Sequence, residues 1–237
     1  MEVPFNFKHT AIGIDFIGRE IECNTLSNLL RQRQNVLIYG PDGVGKKSLI
    51  NKILIDFQKS SLGTIVCNVN LHNVRCEEDF YRVYEEKIKL SGLNTFQDLY
   101  RMSNGGEGDN TPEHILSMPE SLASMQDAQV IVYFEEFNNV LHFDDPDSFL
   151  KRLEKVWGDK KNVTYLVTGS KTNAMKYIFE EKKYFYGQIE NLPLLPLNEK
   201  AASDYIIRTF LRVGRVIDKE HVKMFYDISG GYPYYLW

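Results

Sequence analysis

Short apolar runs alternate along this chain with longer amphipathic stretches, and that alternation predicts an α/β fold. Val36-Leu37-Ile38-Tyr39 and Val130-Ile131-Val132-Tyr133-Phe134 are uninterrupted β-branched and aromatic runs, the pattern of parallel strands buried on both faces. Thr64-Ile65-Val66-Cys67-Asn68-Val69-Asn70 and Val163-Thr164-Tyr165-Leu166-Val167-Thr168-Gly169-Ser170 read as two more strands, and Gln188 to Leu192 as a last one. Around them, apolar residues recur at helical spacing. Leu26, Leu29 and Leu30 precede the first strand; Leu49, Ile50, Ile53, Leu54 and Phe57 follow it. Phe80, Val83, Tyr84 and Ile88 lie within a helix from Glu77 to Leu90, and Phe149, Leu150, Leu153, Val156 and Trp157 within one from Pro146 to Trp157. Lys171 to Lys183 reads as a helix of mixed charge, Thr95 to Met102 as a further helix, and residues 1–15 as an extended lead-in. The run from Ser103 to Pro112 is the clearest loop.

Strand signals stop at Leu192-Pro193-Leu194-Leu195-Pro196-Leu197, which reads as a hinge. Beyond it, Ala202, Tyr205, Ile206 and Phe210 mark one helix, Val222, Phe225 and Tyr226 another, and Gly230-Gly231-Tyr232-Pro233 a turn. The expected division is a core over residues 1–192, with an N-terminal segment over about 1–34, and a helical unit over 193–237. The chain ends in an apolar run at Trp237, so a further C-terminal domain or a protein partner is expected.

Composition narrows the class. With 237 residues, 43% of them hydrophobic, the chain can bury a full core. No window approaches 18 consecutive apolar residues, and Met1-Glu2-Val3-Pro4-Phe5-Asn6-Phe7-Lys8 lacks the basic start and apolar centre of a signal peptide, so a cytoplasmic protein without a membrane partner is expected. Cys23, Cys67 and Cys76 are widely spaced and read as reduced thiols; His9, His72, His114, His142 and His221 form no ligand pair. A net charge of −4 gives no general attraction to nucleic acid.

The chemistry sits between the first strand and its helix. Gly40-Pro41-Asp42-Gly43-Val44-Gly45-Lys46 fits G-x-x-x-x-G-K, a phosphate-binding loop. Its glycines let successive backbone N–H groups turn inward on phosphate oxygens, the following helix adds its positive end, and Lys46 reaches the β- and γ-phosphates. Residues Pro41 to Leu49 are therefore the candidate nucleotide-binding set. The next position departs from the pattern: Lys47 stands where a Ser or Thr hydroxyl would ligate Mg²⁺, and an ammonium has no acceptor. Ser48, one helical step on, suits an α-phosphate oxygen instead. The second candidate is Glu135-Glu136, at the end of the strand Val130 to Phe134. Paired acids there hold the Mg²⁺ shell, here Glu135 through water, and polarise the attacking water, here Glu136. The strand ending at Thr168 and Ser170 presents hydroxyls where a polar residue senses the γ-phosphate.

Phe16-Ile17-Gly18-Arg19-Glu20, the loop, Phe134-Glu135-Glu136-Phe137 and Leu166-Val167-Thr168-Gly169-Ser170, in this order, resemble the archaeal-type P-loop ATPases, which belong with the STAND signalling NTPases near the AAA+ group. The resemblance continues through Phe179, Tyr186-Gly187 and Pro196 to Gly230-Gly231-Tyr232-Pro233. It implies an additional-strand P-loop core, a parallel sheet flanked by helices, followed by a small helical lid. It also implies ATP or ADP as ligand, Gly18 and Arg19 beside the base, Glu136 and Lys46 as catalytic residues, Pro233 closing over adenine, and oligomers as an available state. Family members act as nucleotide-controlled switches. Three departures, Lys47, Glu135 in place of Asp and Gln188 in place of an arginine, point toward slow turnover. The alternative is a DNA-associated AAA+-like ATPase whose DNA-binding domain lies beyond residue 237.

Overall fold

The computed structural model of the chain describes residues 11, 13, 16–60, 63–92 and 111–236. The lead-in over 1–15 lies almost wholly outside the described residues, as do the Thr95 to Met102 helix, positions 103–110 of the expected loop, and Trp237. Five strands, β1 (Asn35–Tyr39), β2 (Thr64–Asn70), β3 (Gln129–Glu135), β4 (Val163–Thr168) and β5 (Ile189–Pro193), form one sheet in the order β2-β3-β4-β1-β5. Every pairing in it is parallel. β4 therefore stands between the strand that feeds the glycine-rich loop and the strand that ends in the two acids. That insertion is the additional-strand arrangement the resemblance implied.

Parallel strands leave both faces to be covered, and the strands' period of two divides their side chains between two cores. On one face, Val130, Val132 and Phe134 of β3 and Val163, Tyr165 and Val167 of β4 meet α3 (Glu77–Ser91), α4 (Pro112–Gln126) and α5 (Pro146–Asp159). Trp157 stacks on Tyr165 with ring centroids 4.4 Å apart and lies 4.2 Å from Phe185. On the other face, Ile131, Tyr133 and Leu166 meet α1 (Glu20–Arg31) through Leu26 and Leu30, and α2 (Lys46–Ser60) through Leu49, Ile50, Ile53, Leu54 and Phe57. Burial of the five predicted α2 positions is what aims the first turn of that helix at the end of the sheet.

Two elements differ from expectation. Pro112 opens α4 at its N-terminal end instead of closing a loop: Thr111 caps the helix by accepting the N–H of His114, and a proline at the first position costs no hydrogen bond. The Lys171 to Lys183 helix is a short α6 (Thr172–Lys176) that widens into a π-turn (Tyr177–Glu181). At the C-terminal end, α7 (Glu199–Arg212), α8 (Lys219–Ser229) and the short α9 (Pro233–Leu236) gather a small core of their own from Leu197, Ala202, Tyr205, Ile206, Val222 and Leu236, joined by Ile17 from the other end of the chain.

Candidate functional site

All five strands run the same way, so the loop after β1, the acids closing β3, the hydroxyls after β4 and the exit of β5 share one edge of the sheet. There the chain from Gly40 to Gly45 curls through two left-handed positions, Gly43 at φ 76° and Gly45 at φ 95°, which residues with a side chain rarely adopt. Leu49 is the first amide of α2 to bond back, to Gly45 O at 3.1 Å. The N–H groups of the turn before it have no acceptor within the helix and are available to an anion. The cavity they face measures about 270 Å³ and is lined by Asp42, Gly43, Gly45, Lys46, Lys47, Ser48, Pro233 and Tyr234.

Lys46 lies along this cavity with Nζ donating to the carbonyls of Gly40, at 2.7 Å, and Pro41, at 3.0 Å, and 3.6 Å from Asp42 Oδ1. Burial lowers its pKa from the ordinary lysine value, opposed by Asp42 and by Glu136. The ammonium is thus held against neutral carbonyls that a phosphate oxygen outcompetes, since an ionised acceptor makes the stronger hydrogen bond.

Lys47 takes a different direction. Its Nζ donates to Glu135 Oε2 at 2.9 Å, and the same carboxylate accepts from Asn68 Nδ2 on Oε1 at 2.9 Å and from Asn70 Nδ2 on Oε2 at 3.3 Å. Asn70 cannot turn its oxygen inward instead, because that oxygen already accepts the N–H of His72 at 2.8 Å. Glu135 is therefore surrounded by donors. Glu136 is set apart from it by a left-handed backbone, φ 57°, and its Oε2 accepts from Ser170 Oγ at 2.5 Å. Ser170 N in turn donates to Asn138 Oδ1 at 3.1 Å. Ser170 is one of the hydroxyls expected after β4, whereas Asn68 and Asn70 were not among the sequence candidates; two asparagines at i and i+2 where a predicted strand ends were the signal for them.

The remaining candidates divide. Pro233 lies 3.8 Å from where a Cβ on Gly45 would sit, and Tyr234 donates its N–H to Gly43 O at 3.2 Å, so the C-terminal turn rests directly on the loop. The Ser48 hydroxyl accepts the N–H of Ala11 at 3.2 Å. Val44 and Leu49 are buried under the loop and in the α2 core, and Pro41 contributes its carbonyl to Lys46. Gly18 and Arg19 do not line the cavity: Gly18 packs on Ala201, and the buried Arg19 guanidinium donates to Val44 O at 3.0 Å, Leu195 O at 2.6 Å and Glu22 Oε1 at 2.7 Å. Thr168 donates to Phe134 O at 3.2 Å, inside the sheet. The departure at Gln188 carries less than the sequence suggested. Gln188 precedes β5, its carbonyl accepts from Asn35 at the start of β1, and it therefore sits at the opposite end of the strands from the loop. Its side chain cannot serve a phosphate held by the same chain.

Several solved structures share this fold. The Walker-type ATPase paby2304 of Pyrococcus abyssi aligns with 99% of this chain and 69% of its own length, at a TM-score of 0.72 and 17% identity. The Aeropyrum pernix ORC1 protein, solved in complex with DNA, aligns over 93% of this chain at a TM-score of 0.62 and 14% identity, and the ORC2 protein of the same organism, solved with ADPNP and ADP, over 97% at 0.64 and 16%. The chain spans 58% and 63% of those two proteins, under two thirds of each. At such identities the likeness is one of fold. No curated protein sequence matches the chain. No helix among the described residues is long and apolar enough to cross a membrane. The family of ATPase domains found predominantly in Archaea matches residues 16–237, from the segment ahead of α1 through the loop, the acids and the C-terminal turn, and the chain belongs to that family.

Proposed function

We propose that this chain is an ATP- and ADP-binding switch of the STAND type with slow hydrolysis, in which occupancy of the loop sets the position of the C-terminal helices. The observation that carries it is the direct seat of α9 on the loop: the Tyr234 N–H bonds Gly43 O, and Pro233 and Tyr234 line the same cavity as Lys46. A ligand that fills that cavity touches both the loop and the helical unit, so its binding energy acts on their relationship. On this reading Glu136 polarises the water, and its bond to Ser170 holds the carboxylate in one orientation. Glu135, the partner of Lys47, keeps turnover slow on this reading. Assembly into oligomers, a protein partner and a cytoplasmic setting belong to the same proposal. The DNA bound by ORC1 is that protein's ligand; with a net charge of −4, this chain offers no general electrostatic reason for it.

Calorimetric titration with ATP and ADP tests the reading. Lys46→Ala removes the charge from the cavity and is expected to weaken both nucleotides by about tenfold to a hundredfold, as the loss of a charge-assisted bond does. Thermal unfolding without nucleotide should be nearly unchanged, since Lys46 gives up bonds to carbonyls at the loop's own edge and a long ion pair with the exposed Asp42. Undiminished affinity in Lys46→Ala would end the assignment of the loop as a phosphate site.

A further inference from the structure

P-loop ATPases are expected to hold Mg²⁺ beside the phosphates, and the residues present here do not fit that ion. Magnesium requires about six oxygen ligands in near-octahedral geometry. The position after the loop lysine supplies an ammonium, which only donates. The next hydroxyl, Ser48, is engaged by the N–H of Ala11. The acid that would face the ion, Glu135, accepts from Lys47, Asn68 and Asn70, and the orientation of Asn70 is fixed by His72. Glu136 is committed to Ser170.

What stands there instead is a positive charge on a fixed seat. The Glu135 side chain is 10% exposed and held from three directions, whereas that of Lys47 is 55% exposed. The ammonium makes one bond to Glu135 and keeps two N–H donors for other acceptors. It also belongs to the wall of the cavity that Lys46 enters. Two cations, one from Lys46 and one from Lys47, therefore flank the loop, and the asparagines of β2 keep Glu135 aimed at the second.

We propose that the Lys47 ammonium, seated on Glu135, takes the place of the divalent cation, so that the loop binds its nucleotide as the metal-free polyphosphate. This rests on the nucleotide-site reading above, and Glu135 becomes a positioning residue for Lys47 in place of a metal-shell ligand. Asn68 and Asn70 complete the device, because with Lys47 they occupy both oxygens of the carboxylate with donors that a metal would have to displace.

The test is titration of the full chain with ATP and with ADP, each in excess EDTA and in excess Mg²⁺. The expected result is a Kd in EDTA within about threefold of that in Mg²⁺, or tighter. Affinity that improves beyond threefold with Mg²⁺ overturns the inference and leaves the nucleotide site intact. Absence of binding in both conditions overturns the nucleotide site and the inference with it. In EDTA, Lys47→Thr is expected to lose about tenfold or more, as removal of a charge-assisted bond does, and to regain part of the loss in Mg²⁺, because it creates the missing hydroxyl. A smaller loss removes Lys47 from the account. A loss that Mg²⁺ does not recover makes Lys47 a phosphate ligand only and refutes its exchange with the metal. Lys47→Arg keeps the charge and should keep the affinity in EDTA. Since the Lys47 side chain is more than half exposed, both variants retain the fold, which thermal unfolding checks.

Discussion

At the scale of single residues, the chain places charge where its backbone and core allow it, and not every buried charge belongs to the loop. Lys160 follows α5 with its Nζ buried and without a hydrogen-bond partner among the described residues, 4.8 Å from the centre of the Tyr165 ring. Its natural counter-ion, Glu120, accepts instead from the N–H groups of Lys161 and Asn162 at 3.2 Å. Burial pulls the lysine from 10.5 down to about 7, with Glu120 opposing. Between those values the unfolded chain binds a proton that the folded chain does not, so the stability of the fold rises with pH across that window. Below it both states are charged, and the whole cost of burial is felt. Lys160→Met keeps the stem and removes the charge; it should stabilise the protein by about 1–3 kcal/mol near neutral pH. That gain should shrink as the pH rises toward 10, because the folded lysine is already neutral there and costs nothing to bury, while the unfolded one still holds most of its proton. Urea midpoints for both proteins at a neutral and an alkaline pH decide it, and a gain of equal size at both would mean that Lys160 stays charged in the fold.

At the scale of elements, the strands and the two-sided core were readable because burial on both faces leaves uninterrupted apolar runs, as in Val130 to Phe134, and because α2 keeps its five apolar positions on one stripe. α4 was not readable. Its buried positions, Ile115, Leu116, Met118, Pro119, Leu122 and Ala123, include a proline in mid-helix, and its start looks like the end of the loop before it. Pro119 has no N–H to give, so this helix is held by tertiary contacts where local propensity argues against it. The widening of α6 into a π-turn has no signature in the mixed charges of Lys171 to Lys183. The start of α7 is fixed by a local side-chain bond. Asn198 caps α7 by accepting the N–H of Ala201 at 2.9 Å, and α7 supplies Ala202, Tyr205 and Ile206 to the small C-terminal core. Asn198→Ala should cost about 1 kcal/mol in urea unfolding, while Asn198→Asp, which keeps an acceptor, should cost much less. Equal midpoints for Ala and wild type would show that water serves that N–H as well as the cap does.

At the scale of the whole molecule, the site is assembled from segments that no spacing in the sequence relates. The loop and its lysines were legible because their chemistry is local; Asn68, Asn70 and Ser170 meet the acids only through the strand order, and Arg19 reaches the loop from the far side of α1. Gln188 was misplaced for the same reason: which end of a strand a residue occupies follows from topology, not from its neighbours. The same topology joins the ends of the chain to the centre. Leu197 donates its N–H to Gly231 O at 2.8 Å, Tyr234 donates to Gly43 O, and a Cβ on Gly43 would stand 2.9 Å from that of Tyr234, so the close seat of α9 depends on this glycine. A ligand filling the cavity between them stabilises that seat by mass action, by about 2.7 kcal/mol at a hundredfold excess over Kd. Hydrogen exchange therefore has a distinctive expected pattern. Saturating ATP should slow the amides at the start of α2 and those of Tyr234 to Leu236 together, by up to about a hundredfold where local opening exposes them. Amides of α3 and β2 at the distant edge of the sheet should slow only as far as their opening requires the whole fold to come apart. If α2 slows and α9 does not, nucleotide is held by the loop alone, and the C-terminal helices are not coupled to occupancy. Slowing of both, lost in Gly43→Ala at an ATP concentration that still saturates the loop, would locate the coupling in the contact between Gly43 and Tyr234.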